Sequence, residues 1–257
     1  MKITILGSCS GTEAMPARRH TALMLEAGGR LYQFDAGDSC GYTAHLLGFD
    51  VTALTALFIT HPHIDHVGGL PYLLFEINKL CVRRGKGVAA PIQIYCPSDE
   101  PITAAALLNG FSAPNAMTYI DYHGVSDGVI YDDGILRVTA RHNSHMRETQ
   151  APWHAFSYLV EGLGEDEGKR LVISGDVGHV SELDDWCDCD VMLLENGHHK
   201  PPVTAEYLAA REPKPRRLVY YHHGRDMLAD PEGCTAAAAA VYPHEVIRAD
   251  DGTVIEI

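Results

Sequence analysis

The stretch Phe58-Ile-Thr-His61-Pro-His63-Ile-Asp65-His66-Val-Gly68-Gly69 sets four potential ligands within six residues. It lies between an apolar run, Ala53 to Thr60, that predicts a buried strand, and a second, Leu70 to Val82, that predicts an amphipathic helix. Packing alone needs none of this chemistry. In an extended loop alternate residues share a side, so His61, His63 and Asp65 can converge while His66 turns away as the helix begins. Two adjacent sites follow: imidazoles for one metal, a carboxylate and an imidazole for its neighbour. Gly68 and Gly69 let backbone come close without an intervening Cβ. With 15 His in 257 residues, chance clustering is the competing explanation. The position at a strand-to-helix junction, where such sites are built, argues against it.

The rest of the chain reads as two similar passes. Strands are expected over Lys2 to Gly7, Thr21 to Glu26 and Arg30 to Phe34, with a loop over residues 8–20 and Gly28-Gly29 as a hairpin. A short helix from Tyr42 to Leu47, the metal loop, a strand from Ile92 to Tyr95 and a helix from Pro101 to Leu108 follow. Arg83-Arg84-Gly85 marks a helix C-terminus. The second pass begins with β structure around residues 117–140, with Asp132-Asp-Gly134 as a tight hairpin. It offers further ligands at strand exits: His142 or His145 after Leu136–Ala140, Asp176 after Leu171-Val-Ile-Ser-Gly175, and His222 or His223 after Arg216–Tyr221. His198 and His199 follow another strand, Asp190 to Glu195. Helices are expected from Thr204 to Ala210 and Thr235 to Val241, with edge strands at Glu245–Arg248 and Thr253–Ile257. Strands then helices, twice over, suit two sheets with helices outside.

The H-x-H-x-D-H loop resembles that of the metallo-β-lactamase superfamily of metal-dependent hydrolases, and the whole chain is most similar to its ribonuclease Z-like branch. Asp35-Ala-Gly37-Asp38-Ser39 resembles the superfamily's Asp-x-Gly-x-Gly segment, with Ser39 at the second glycine, and implies that Asp35 orients the metal loop. The resemblance implies a four-layer αββα fold, one domain over residues 1–257 with two similar halves meeting near residues 130–135. It implies one metal held by His61, His63 and His145, another by Asp65, His66 and His222, and Asp176 shared between them. His145 is preferred to His142 by aligning Val138-Thr-Ala140, and His222 to His223 by aligning Leu218-Val-Tyr-Tyr-His222. These donors suit two zinc ions, with manganese or iron also compatible.

The implied chemistry is attack by a metal-bridging hydroxide, oriented by Asp65, with His198 donating a proton to the leaving group. His198 follows its strand more closely than the matching Gly-His element of the family does. A phosphodiesterase or nuclease-like activity is the leading expectation, and a thioester or lactone hydrolase the alternative. A non-enzymatic metal-binding protein would be expected to lack ligands, and none is missing. Transfer-RNA-processing relatives commonly insert a long arm between the third metal histidine and the bridging aspartate. Met146 to Gly175 leaves no room for one.

A formal charge of −14 argues against broad nucleic-acid binding, which needs clustered Lys and Arg. A small anionic or phosphodiester substrate remains compatible, because bound divalent ions make the site locally positive. Seven Cys, an odd number without framework spacing, fit reduced thiols. The expectation is a cytoplasmic protein without a membrane span, since no run approaches ~18 apolar residues and the N-terminus lacks a secretory pattern. A homodimer is compatible with all of this.

Overall fold

The computed structural model describes residues 1–12 and 15–257; Glu13 and Ala14, in the loop expected over residues 8–20, lie outside the described residues. β1 (Lys2–Gly7) pairs antiparallel with β2 (Ala22–Ala27), and Gly28 and Gly29, at φ +51° and +74°, turn β2 into β3 (Arg30–Phe34). The first pass continues through α1 (Cys40–Leu46), β4 (Leu54–Phe58), α2 (Ile64–Val67), α3 (Leu70–Arg84), β5 (Ile92–Tyr95), α4 (Glu100–Asn109) and β6 (Ile120–His123). The chain changes sheet between His123 and Gly128. The second pass comprises β7 (Gly128–Asp132), β8 (Leu136–His142), β9 (Phe156–Gly162), β10 (Arg170–Ile173), β11 (Val191–Asn196), α5 (Pro201–Ala209), β12 (Arg217–His223), α6 (Arg225–Ala229), α7 (Pro231–Val241) and β13 (Glu245–Arg248). β14 (Val254–Glu256) returns to pair with β1.

Two seven-stranded sheets result, in the orders β14-β1-β2-β3-β4-β5-β6 and β13-β12-β11-β10-β9-β8-β7. Their pairings repeat. β14 to β3 and β7 to β10 are antiparallel throughout, whereas β3 to β6 and β10 to β13 are parallel.

β11 shows why the layers stack. Val191 and Leu193 face the other sheet, Met192 and Leu194 face the outer helices, and all four are fully buried, so no polar residue alternates. A strand covered on both faces reads as a continuous apolar run. Between the sheets, Ile3, Ile5, Phe34 and Phe58 meet Tyr158, Ile173, Leu193 and Tyr221. Outside the first sheet, Leu6, Met24 and Leu57 pack against Leu70, Leu73 and Ile77 of α3. Each such side chain contributes about 1.5–3 kcal/mol on burial. The architecture is the expected αββα sandwich. Both predicted edge strands lie on edges, one in each sheet.

Boundaries differ where proline is involved. α5 starts at Pro201 rather than Thr204, and α7 at Pro231 rather than Thr235, because the first turn of a helix needs no N–H from proline. The Asp230 side chain accepts from Gly233 N and caps α7. The five-residue α6 was not expected from sequence. No helix among the described residues is long and apolar enough to cross a membrane.

Candidate metal centre

The preferred ligands proposed from sequence gather at strand ends: His61, His63, Asp65, His66, His145 and Asp176 follow their strands, and His222 is the penultimate residue of β12. After β4, Ile59 N still bonds the Tyr95 carbonyl, and then the loop is taken over by Asp35. That fully buried carboxylate accepts from Thr60 N at 2.7 Å and from the Thr60 hydroxyl at 2.9 and 3.0 Å, and meets His66 Nδ1 at 2.8 Å. Thr60 Oγ1 in turn lies 3.1 Å from His61 Nδ1. One carboxylate therefore fixes both ends of the His61–His66 loop. Close backbone approach also matters at Gly69, where a Cβ would fall 2.2 Å from the Gly37 carbonyl oxygen.

Two clusters form. His61, His63, His145 and Asp176 make the first; Asp65, His66 and His222 make the second. In the first, His63 Nδ1 lies 3.0 Å from His61 Nε2 and 3.2 Å from His145 Nε2. Donors 2.0–2.1 Å from one tetrahedral ion would stand roughly 3.3–3.4 Å apart, so these spacings suit a shared cation. Asp176 lies between the clusters. Its Oδ2 is 3.6 Å from His61 Nε2 and 3.7 Å from His145 Nε2, while its Oδ1 is 3.4 Å from His66 Nε2 and 3.2 Å from His222 Nε2. Asp65 Oδ2 completes the second group at 3.6 Å from His66 Nε2 and 3.9 Å from His222 Nε2.

Among the described residues, three buried atoms here have no hydrogen-bond partner: His66 Nε2, His222 Nε2 and Asp176 Oδ1. An unsatisfied buried polar group ordinarily costs about 1–3 kcal/mol, and native proteins carry few of them. Three converging on one point fit a cation that would take all their lone pairs. The ring nitrogens on the far side are already engaged, His66 Nδ1 with Asp35 and His222 Nδ1 with Thr21. Burial holds the His61 pKa well below its ordinary value, as a ligand imidazole requires. Burial disfavours charge on Asp176 too, but His222, His66 and His61 outweigh it and hold its carboxyl well below the usual range.

The neighbouring histidines are not brought to the clusters. His142 Nδ1 meets Asp127 at 2.6 Å and its ring stacks on Trp153 at 4.2 Å. His223 is buried between Asn196 and the Ala249 carbonyl. His198 stands at the rim, 45% exposed, with Nδ1 3.2 Å from Glu195 Oε1 and 3.7 Å from Asp176 Oδ2. Its N–H also donates to Glu195 Oε2. The Glu195 hydrogen bond raises its pKa above the ordinary value against partial burial. An open cleft of about 500 Å³ lies over this rim, lined among others by Ser10, Thr12, Asp65, His198, Lys200 and Arg225.

Sequence reasoning missed Glu195, Thr21, Thr60 and Asn196. Glu195 carried a usable signal, a lone acid closing the wholly apolar run Val191–Leu194 three residues before His198. Thr21 carried none, being about two hundred residues from the histidine it touches.

This sandwich, with its His/Asp clusters beside the strand ends, has the metallo-β-lactamase fold. Within it, the family model described as Anti-Pycsar protein Apyc1 matches residues 1–207, and the chain belongs to that family. Ribonuclease Z of Crocosphaera subtropica is 30% identical over 151 residues, 56% of this chain and 45% of that protein. The chain spans about half the length of the curated relatives it matches. Among solved structures, the metallo-β-lactamase fold protein YhfI from Bacillus subtilis superposes with a TM-score of 0.75 at 18% identity, covering 100% of this chain and 99% of that one. Human tRNase Z, short form, gives 0.66 at 20% identity, with the same two coverages of 100% and 99%.

Proposed function

We propose that this chain is a phosphodiesterase that works with two divalent metal ions. The observation that carries the reading is Asp176, whose two carboxylate oxygens each face a separate histidine cluster. His61, His63 and His145 would hold one ion, Asp65, His66 and His222 the other, and Asp176 both. Nitrogen and oxygen donors of this kind suit zinc, and manganese or iron are compatible. Bound there, such ions would supply Lewis acidity and lower the pKa of water.

The chain's own residues supply the rest. Asp65, at the floor of the cleft, orients the attacking water. Glu195 holds His198 by Nδ1 and favours its protonated form, leaving Nε2–H as the donor toward the cleft. The bond from phosphorus to the leaving oxygen breaks as the water oxygen takes its place, and His198 provides the proton that the leaving oxygen needs. Lys200 and Arg225 share the cleft lining with Asp65, Asp176 and Asp226, so an anionic substrate would rely on the bound ions for a positive site. Two names support this substrate class, the ribonuclease Z relative and the tRNase Z neighbour. The segment between His145 and Asp176 is occupied by a loop, β9 and β10, which favours a small phosphodiester over transfer RNA.

The test compares the zinc- or manganese-loaded protein and its His198→Ala variant on phosphodiesters with nitrophenolate and with alkoxide leaving groups. The alkoxide rate should fall by roughly 10²–10⁴-fold and the nitrophenolate rate by much less, with both metals retained. Equal losses on both would remove the acid role from His198. Turnover of thioesters or lactones, with every phosphodiester refused, would assign the site to that chemistry instead.

A further inference from the structure

The two imidazoles of the buried cluster are held from behind by different chemistry. His66 Nδ1 faces the Asp35 carboxylate, which can only accept. His222 Nδ1 faces a hydroxyl, Thr21 Oγ1, at 2.5 Å. A hydroxyl could in principle either give or take a proton there. The Thr21 proton, however, is committed to the Cys9 carbonyl, 3.2 Å from Oγ1. Thr21 is fully buried, so bulk water does not compete for the contact. The oxygen therefore has only lone pairs to offer the ring, and His222 must carry its hydrogen on Nδ1. The opposite tautomer would set two lone pairs against each other at 2.5 Å. With Nδ1 protonated, the free pair of Nε2 faces the point where Asp176 Oδ1 and His66 Nε2 are also unpartnered.

The backbone of His222 is fixed separately. It adopts φ +51°, and its flanks are pinned by His223 N to the Ser8 carbonyl at 2.6 Å, Ser10 Oγ to the His223 carbonyl at 2.9 Å and Asn196 Nδ2 to the Tyr221 carbonyl at 3.0 Å. None of these bonds passes through the Thr21 side chain. Its hydroxyl reaches the strand end only through the Cys9 carbonyl, in the Ser8–Ser10 segment beside His223, so loss of that bond must be told apart from loss of the bond to the ring.

We propose that Thr21 is a positioning residue that fixes the tautomer of His222 and so sets the metal affinity of the buried cluster. This rests on the two-ion reading above. Thr21→Val keeps the shape of the side chain and removes the hydroxyl; Thr21→Ser keeps the hydroxyl. Long-range ¹H–¹⁵N imidazole spectra of the metal-free protein should show Nδ1–H at His222 in the wild type and the serine variant, and a mixture or the Nε2–H form in the valine variant. Zinc titration against a competing chelator should show one of two equivalents weakened by roughly 10–100-fold in Thr21→Val, with the other unchanged and serine restoring wild-type binding. A valine variant with the wild-type tautomer and both affinities intact overturns the inference. So does equal weakening of both equivalents together with a lower melting temperature of the metal-free protein, since that is the mark of a purely structural role. A wild type that binds a single equivalent overturns the two-ion reading itself, whereas two wild-type equivalents unaffected by Thr21→Val overturn the tautomer inference alone.

Discussion

The two sheets repeat one order of strand pairings yet furnish the site in opposite ways. The first-sheet side supplies four candidate ligands from a single six-residue loop after β4, tied down by one carboxylate, Asp35. The second supplies three from three separate strand ends, His145 after β8, Asp176 after β10 and His222 at the end of β12. A contiguous set has its geometry settled by local chain and one buried anchor. A dispersed set is right only when β8, β10 and β12 are all in register. Errors in the first arrangement should be local, and errors in the second should spread.

The strongest break in this comparison is Asp176→Ala, because that one side chain faces both clusters. Both ions and all measurable turnover should be lost, as read by elemental analysis and by assay on a phosphodiester; retention of one full equivalent would mean the aspartate serves a single cluster.

Next in size is the anchor of the contiguous set. Asp35→Asn replaces an acceptor for Thr60 and His66 with an uncharged amide. A charged hydrogen bond of this kind is worth about 1.5–3 kcal/mol, so thermal denaturation should shift by roughly 3–12 °C. Zinc affinity should fall by roughly 10–100-fold as well. A shift in neither would show that the loop holds its shape without the carboxylate.

The smallest effects sharpen the dispersed set, where neighbours compete for the same role. His145→Ala and His222→Ala should each weaken metal binding by more than the ~10–100-fold typical of an outer partner. His142→Ala should leave binding unchanged, since that ring is engaged with Asp127 and Trp153. His223→Ala should weaken it less than His222→Ala, because the ring it removes meets the Asn196 side chain and the Ala249 carbonyl rather than the clusters. An ordering reversed within either pair would move the ligand to the neighbour.

The same contrast explains what could be read in the chain beforehand. Strands such as β11 declare themselves because burial on two faces leaves no place for a polar residue, and the sandwich follows from such runs alternating with amphipathic helices. The His61–His66 loop is legible because its four donors are adjacent. His145 and His222 are only half legible: a histidine lies within a few residues of each, and which of the two turns inward depends on where the strand stops. β8 ends at His142 and leaves three more residues to reach the site, whereas β12 runs through His223 and bends at His222. Thr21 and Asn196 were beyond reach, since their partners are distant in sequence and hydroxyls and amides are common everywhere. The helix starts at Pro201 and Pro231 were misplaced because proline reads first as a break and only in context as an opening turn.

The exposure of His63 has one more consequence. In the first cluster His63 faces solvent and His145 is half-buried, whereas Asp65, His66 and His222 are all buried. Ions held as proposed would not come and go as equals. The outer one could trade ligands with passing water or chelator through the gap beside His63, while the inner one, whose three ligands are all buried at the bottom of the cleft, would exchange more slowly. Such a centre has a resident and a visitor, and the supply of metal around the protein would be felt at the visitor's place first.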